Sequence, residues 1–475
     1  MRNDGLISSR PKVDKVLLWI VSLSGMISAL NTGTMYVAYV EFMAYFQADI
    51  NVVQWLTVIY SVSSAMLTPV AGYFAQRYGL KKVFIFALML MGSGSVLCML
   101  AGNIHLLILF RGLQGMAGGI LTPLSLTIIY QFVPKEQQGQ FMSFNLMAMS
   151  LGPAIGPTLS GIMLDTIGWK GIFFCNLPLI AINGYLAYKK LPQQSGQNMG
   201  KLDYWAMLTV FGGTMLLLLS FNQAAAWGWY STAFWSCAML GCGLIIYFVC
   251  RQLSSAVPLL NFQVFKSRKF ILSVIITATM FCNITAGAFL LPYYLQNVLK
   301  LSAIQTGALL FLPASCMVVA TPVGGWLYSR FSGRLLIGVG LFIMTLGTVQ
   351  IAYLGVTPTV LTLLLWMSLR YVGAAIANVP AMDYGLGDIP KQWSGHATAM
   401  NNWIKSMSTS ISLSMITALL SIWSERQIDE YATLGITSNM AVVRGNAAAV
   451  SGLFLLMAVS LACMVLLVLL SKKEA

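Results

Sequence analysis

Three basic residues, Arg111, Arg370 and Lys405, fall inside long apolar stretches, apart from the small basic groups that punctuate the rest of the chain. Holding such a cation within a bilayer costs roughly 3 kcal/mol, so each is expected to face a polar cavity or partner rather than lipid. At about 1.5 Å per residue, Arg111 lies about 10 Å and Arg370 about 18 Å inside its stretch, and Lys405 about two turns in. Acids are scarcer there. Only Glu41 and Asp383 lie at or within stretch ends, while Asp49, Asp165, Asp203 and Asp388 fall between stretches. A carboxyl group in a partly dry site can take up and release a proton near neutral pH, which a proton-coupled carrier needs. Glu41 and then Asp383 are therefore the candidate proton-coupling acids, with Arg111 as their fixed cationic companion. His105 and His396 read as helix-end residues. The chain contains no HExxH and no GxxxxGKS or GKT, and its eight cysteines have no metal-ligand spacing. These absences argue against a membrane-embedded metalloenzyme and against direct drive by ATP, and no metal or cofactor is expected.

The elements that must carry these residues follow from composition. Of 475 residues, 58% are hydrophobic and 8% charged, against about 25% charged in an ordinary soluble domain. Apolar windows of bilayer-crossing length recur, and we count fourteen. The first runs from Val16 to Val40, the fourth from Ile104 to Phe132 and the fifth from Phe141 to Met163. The tenth runs from Ala303 to Tyr328, the thirteenth from Thr398 to Trp423 and the last from Ala447 to Leu470. Such continuous hydrophobicity predicts helices, because lipid-exposed backbone must satisfy its own hydrogen bonds, and it lacks the alternation of a barrel. The first window has no A-x-A-like cleavage site and reads as a span rather than a signal peptide. With both termini cytoplasmic, 20 of the 27 basic residues fall on the cytoplasmic side and only Lys170, Lys300, Arg426 and Arg444 outside, as the positive-inside rule requires. The net charge of +14 is thus a scattered cytoplasmic belt, with no stripe for nucleic acid.

An internal repeat supplies the architecture. "TPVAGYFAQRYG" from Thr68 is echoed by "TPVGGWLYSRF" from Thr321, with Pro69 against Pro322, Gly72 against Gly325 and Arg77 against Arg330, a constant displacement of 253. "LFRGLQG" around Arg111 and "SLRYVG" around Arg370 repeat at nearly the same displacement. The expected fold is all-α: two pseudo-repeated six-helix bundles over 16–190 and 270–471, with two inserted helices within 191–269. An N-terminal segment 1–15, an outer loop 424–446 and a tail 472–475 complete it. Repeated halves around a midplane site are a transporter design suited to alternating access. Gly152, Pro153, Gly156, Pro157 and Gly161 make the fifth span tightly packed and bendable, because small residues admit close approach and Pro removes a backbone hydrogen bond.

The chain resembles the major facilitator superfamily, and within it the fourteen-helix drug:proton antiporters of the EmrB/QacA type. "GYFAQRYGLKK" (Gly72 to Lys82) is similar to the superfamily's loop motif between the second and third helices, and "RGLQGMAGG" (Arg111 to Gly119) to its fourth-helix motif. "GPAIGPTLSG" (Gly152 to Gly161) resembles the antiporter motif, "GWKGIFFCNLPL" (Gly168 to Leu179) the start of the sixth helix, and "LLPYYLQNVLKLSAIQTG" (Leu290 to Gly307) the turn between the ninth and tenth. The resemblance implies the major facilitator fold and a proton-driven exporter of small lipophilic compounds in a bacterial plasma membrane, expected as a monomer with no cofactor. It also implies gating roles for Gly72, Arg77, Gly79, Gly325 and Arg330 beside the fifth-span motif. Four positions depart from the pattern. Asn31 stands where an Asp is usual, Gln76 replaces the usual Asp of the loop motif, Lys405 replaces an Arg, and Ser160 replaces a Gly. An amide cannot exchange a proton near neutral pH, so the usual first-helix proton site is missing. Substrate contacts are expected from polar and aromatic groups facing the cavity: Asn31, Tyr36, Gln114, Asn145, Tyr293, Arg370, Asn378, Asn402, Trp403 and Lys405. An alternative is export of an anionic or zwitterionic lipid or metabolite, which three buried cations and few buried acids would suit.

Overall fold

The computed structural model describes residues 15–193, 203–255, 258, 260–328, 330–387, 389–390, 393–434 and 437–470. The termini 1–14 and 471–475, much of the linker before residue 203, and the side chains of Pro153 and Asp383 lie outside the described residues. Among those described, every regular element is a helix, as a chain needs where no water can satisfy its backbone. The first half comprises α1 (Lys15–Gly33), α2 (Met35–Phe46), the short α3 (Ile50–Val53), α4 (Trp55–Tyr78), α5 (Leu80–Leu100), α6 (Ile104–Phe132), α7 (Lys135–Thr166), the short α8 (Lys170–Phe174) and α9 (Asn176–Lys190). Next come α10 (Tyr204–Trp227) and α11 (Thr232–Leu253). The second half comprises α12 (Arg268–Tyr293), α13 (Ala303–Tyr328), α14 (Gly333–Ala352), α15 (Val360–Leu386), α16 (Ser394–Thr433) and α17 (Ser438–Leu470). Among the described residues, thirteen helical stretches are long and apolar enough to cross a bilayer. The remaining window, Phe141 to Met163, lies within the 32 residues of α7.

Two elements differ from their expected outlines for local reasons. The first window is broken at Thr34, between α1 and α2. The Thr34 hydroxyl donates to the Leu30 carbonyl at 2.9 Å, a bond that competes with regular helix geometry, while Ser160 Oγ donates to the Thr34 carbonyl at 2.8 Å. The departure from Gly at position 160 therefore stitches α7 to the break. The segment 424–446, expected as a loop, is mostly helix, because α16 continues to Thr433 and α17 starts at Ser438. Its residues SERQIDEYAT are polar enough to escape a hydropathy window yet include good helix formers.

Packing repeats as the sequence does. In the first half α1 packs on α7, α6 and α9, α4 on α6, and α5 on α6 and α9. In the second half α12 packs on α16, α15 and α17, α13 on α15, and α14 on α15 and α17, the same neighbours in the same order. The halves meet through α7 against α13 and α4 against α16, while α10, backed by α11, lies against α4 and α16. Glycines set these distances. A Cβ on Gly156 would stand 2.9 Å from the Gly33 carbonyl carbon on α1, and one on Gly161 would stand 2.6 Å from the Ala303 carbonyl oxygen on α13.

The end of the bundle remote from Lys15 is closed. One large apolar cluster joins both halves there, running from Met35, Tyr39 and Phe42 to Phe289, Leu291 and Leu295. Thr158 Oγ1 donates to the Gly307 carbonyl at 2.8 Å, Gln296 Nε2 to the Val37 carbonyl at 3.3 Å, and Thr417 Oγ1 to Gln54 Oε1. Two other apolar clusters each belong to a single half. Beside the inserted pair, Asp203 Oδ1 caps α10 by accepting from Ala206 N at 3.0 Å. Its Oδ2 meets Arg251 Nε at 2.7 Å, and that bond holds the Asp203 carboxyl below the usual carboxylate range.

Candidate functional site: a hydroxyl-lined cavity between two buried arginine networks

On α4 the residues Thr57, Tyr60, Ser61 and Ser64 recur at i, i+3, i+4 and i+7, so they share one helical face. That face is held from behind by α6. Cβ atoms on Gly115 and Gly119 would stand 2.8 Å from the Cα atoms of Tyr60 and Ser64, respectively, so only glycine lets α6 come this close. The hydroxyl face of α4, with Thr32 of α1 and Tyr36 of α2, forms one wall of a cavity of about 260 Å³. The other wall comes from the second half: Phe281 and Thr285 of α12, and Lys405, Ser406, Thr409 and Ser410 of α16. Lys405 is the one charged side chain in this lining, which contains no carboxylate among the described residues. Its Nζ lies 4.5 Å from the centre of the Phe281 ring, a cation-π contact that offsets only part of the cost of a half-buried ammonium. Ten hydroxyl groups and one ammonium can hold and release a polar group, and they pair no nucleophile with a base.

Arg111 sits behind the α4 wall with no exposed surface. Its Nε donates to the Leu56 carbonyl at 3.0 Å, Nη1 to Gln114 Oε1 at 2.7 Å and to Asn31 Oδ1 at 3.3 Å, and Nη2 to the Asn31 carbonyl at 3.1 Å. The guanidinium lies 4.6 Å from the centre of the Tyr60 ring. Gln114 Nε2 continues the network to Ser95 Oγ at 2.8 Å. Every acceptor is neutral, so carbonyl and amide dipoles hold this cation where the related family pattern has an Asp.

Arg370 occupies the matching place in the second half. Its Nη2 donates to the Asn283 carbonyl and its Nε to Thr348 Oγ1 at 3.2 Å. Asn283 stands 252 residues after Asn31 and Thr348 253 after Ser95, so the repeat extends from sequence motifs to the polar residues of each network, although Ser95 reaches Arg111 only through Gln114. The copies differ in completeness, since Nη1 of Arg370 has no hydrogen-bond partner. Gly287 makes the room: a Cβ there would come within 2.6 Å of the guanidinium carbon.

The other nominated residues scatter. Tyr36 and Lys405 line the cavity, whereas Asn31, Gln114 and Arg370 belong to the buried networks. Asn145 is buried, with its Oδ1 2.7 Å from where a Gly25 Cβ would lie on α1. Trp403 packs on Phe248 of α11, ring centres 6.2 Å apart, and the Tyr293 hydroxyl donates to Asn446 Oδ1 at 3.4 Å. Asn378 and Asn402 are half-buried outside the cavity lining. Glu41 is exposed on α2 and is not among the residues lining the cavity; Asp383 falls on α15. Gly152 and Gly156 pack on α1, while Gly72 and Gly325 have open space where a Cβ would be. Pro157 offers its carbonyl oxygen 2.5 Å from where a Gly307 Cβ would lie. Gly79 has φ +91°, a conformation that favours glycine and lets α4 turn directly into α5. Arg77 stacks on Tyr73 and Tyr78, and Arg330 on Trp326 at 4.2 Å. Sequence reasoning passed over the hydroxyls of α4 and α16, although their helical spacing was the available signal.

Known proteins agree with this architecture. The chain is 32% identical over 403 residues to the uncharacterized MFS-type transporter YhcA of Bacillus subtilis, covering 85% of this chain and 76% of that protein. It is 25% identical over 399 residues to the lincomycin resistance protein LmrB of Listeria monocytogenes, covering 84% and 85%. A multidrug resistance protein B homolog of Mycobacterium tuberculosis matches at 27% over 430 residues, covering 88% and 78%. Among solved structures, the POT family transporter PepTSo superposes with a TM-score of 0.65 at 14% identity, over 95% of this chain and 99% of that one, a likeness of fold. The sequence model of the Major Facilitator Superfamily matches residues 21–413. With paired bundles, a cavity between them and a duplicated arginine network, the chain belongs to the major facilitator superfamily and is a transporter rather than an enzyme.

Proposed function

We propose that this transporter is a secondary exporter that moves small lipophilic compounds out of the cell in exchange for protons, by alternating access in a bacterial plasma membrane. The observation that carries this reading is the cavity built equally from α1, α2 and α4 of one half and α12 and α16 of the other, a site that rocking of the halves would expose to each side in turn. The names of the relatives, lincomycin and multidrug resistance, support the substrate class. The closed end remote from Lys15 would then be the outer end, both termini would be cytoplasmic, and the chain would carry fourteen spans and act as a monomer. Everted vesicles loaded with a proton gradient should lose part of it when a transported drug is added; no response across a broad panel of lipophilic drugs would refute the drug-antiport reading. Glu41 and Asp383 are the candidate coupling acids, and normal transport by Glu41→Gln at every pH would remove the first.

A second reading, export of an anionic or zwitterionic compound, draws support from Lys405, the one charge in the cavity lining. Neutralising Lys405 and Arg370 separately should then abolish transport, and retained transport in both would count against it.

A further inference from the structure

The pair α12 and α16 separates two cavities. One is the central cavity, reached by Phe281 and Thr285 of α12 and by Lys405 and Thr409 of α16. The other is a groove of about 530 Å³ on the opposite side of the same pair, closed by α17. Asn283 and Ala286 of α12 and Ser408 and Ser412 of α16 line it. Its rim is apolar and open: Met415, Leu456 and Val459 are 38%, 47% and 61% exposed. In a helix bundle that spans a bilayer, such a rim meets acyl chains. Small side chains of both helices, Thr285 and Ser406 on the central side and Ala286 and Ser408 on the groove side, contribute to the wall between the cavities.

Size and charge together name an occupant. Sites for drug-sized ligands run to about 300–1,000 Å³; the central cavity, at about 260 Å³, is small for one, and the groove is not. Lys405 is the one charged side chain lining either space, and no carboxylate lines either among the described residues. An ammonium facing only a phenyl ring and hydroxyls gains most from an anion, and a groove open to acyl chains gains most from an alkyl tail. We propose that α12 and α16 form a lateral gate for a single-chain anionic amphiphile, with its headgroup on Lys405 in the central cavity and its tail between them in the groove against α17. This rests on the exporter reading and narrows its substrate to compounds taken from the membrane with a negative head.

The test is binding, measured without transport. The full chain in phosphatidylcholine nanodiscs is titrated with a spin-labelled fatty acid and with a trimethylammonium probe of equal chain length. The wild type is expected to prefer the anionic probe by about tenfold to a hundredfold, the range carried by one charged hydrogen bond. Lys405→Gln should erase that preference and Lys405→Arg should restore it. Ser412→Trp, which fills the groove, should weaken both probes, and Val459→Trp at the exposed rim provides the same block where the fold tolerates bulk. Equal preference in Lys405→Gln and wild type overturns the headgroup assignment, and so does a wild type that prefers the cation. Unchanged affinity in both tryptophan variants overturns the tail path. Drug export without Lys405-dependent binding would refute this proposal alone, whereas Lys405-dependent binding without export would refute the exporter reading alone.

Discussion

Replacing Arg111 by Met removes the cation from a network whose two side-chain acceptors have almost no other donors. Asn31 Oδ1 would keep none, and Gln114 Oε1 would keep only the Cys98 thiol at 3.8 Å. A buried acceptor stripped of its donor costs about 1–3 kcal/mol, so the two together should cost about 2–6 kcal/mol. Arg370→Met is different in kind. Thr348 Oγ1 still donates to the Met344 carbonyl at 2.7 Å, so no side-chain acceptor is orphaned, and the unpartnered Nη1 of Arg370 leaves with the side chain. Its cost should be smaller by at least about 1 kcal/mol, the lower bound for one orphaned acceptor. Because replacing both members of a buried polar pair by apolar groups can be nearly neutral, Arg111→Met with Gln114→Leu should be more stable than Arg111→Met alone. Equilibrium unfolding in mixed micelles, followed by tryptophan fluorescence, measures all three. An Arg370→Met cost equal to or above that of Arg111→Met, or a double variant whose losses simply add, would refute the view that orphaned acceptors set the energetics of these sites.

Other outcomes follow from particular contacts. Gly287→Ala places a methyl group into the Arg370 guanidinium and should cost about 1–3 kcal/mol by overpacking, which the same unfolding measurement reads. Gly161→Ala presses on the Ala303 carbonyl across the two halves, and a penalty of about 1–3 kcal/mol specific to the closed far end would shift the open fraction about 5- to 150-fold. Spin labels at Ile167 and Lys300 would report it as a longer distance. Asp203 has its ionisation favoured by Arg251, so the pair stabilises the fold above the usual carboxylate value and that contribution fades as pH falls through the lowered one. Asp203→Asn should therefore be less stable than wild type at neutral pH, with the difference beginning to shrink only below the ordinary carboxylate value of about 4 and vanishing once the pH has fallen through the lowered one. Asp203→Ala also loses the cap on α10 and should cost about 1 kcal/mol more.

Helices were legible wherever a long apolar run met the bilayer's demand for internal hydrogen bonding; α6 and α13 match their windows residue for residue. The break at Thr34 was not, because it depends on a hydroxyl bond within α1 and a second from α7, contacts that only packing creates. The polar end of α16 escaped because hydropathy measures lipid compatibility and is blind to helix propensity. In the site, the depth of Arg111, Arg370 and Lys405 was readable, since a charge inside an apolar run must find a partner. Residue type alone did not say which partner. Trp403 and Asn145 are as polar or aromatic as any cavity residue, yet their helix faces turn to α11 and α1. Spacing was the better guide, as the four hydroxyls of α4 show.

Every partner of Arg111 lies on α1, α4 or α6, and the hydrogen-bond partners of Arg370 lie on α12 and α14. Neither guanidinium crosses the seam along which the halves would slide. Each therefore acts as an internal strut that travels with its own body, and a full cycle need break none of its bonds. Damage to one strut should leave the other untouched, so substitutions in the two networks should be thermodynamically independent. Far-end contacts such as that between Gln54 and Thr417 have the opposite character: they join the two bodies, and any stroke that opens that end must break them and make them again.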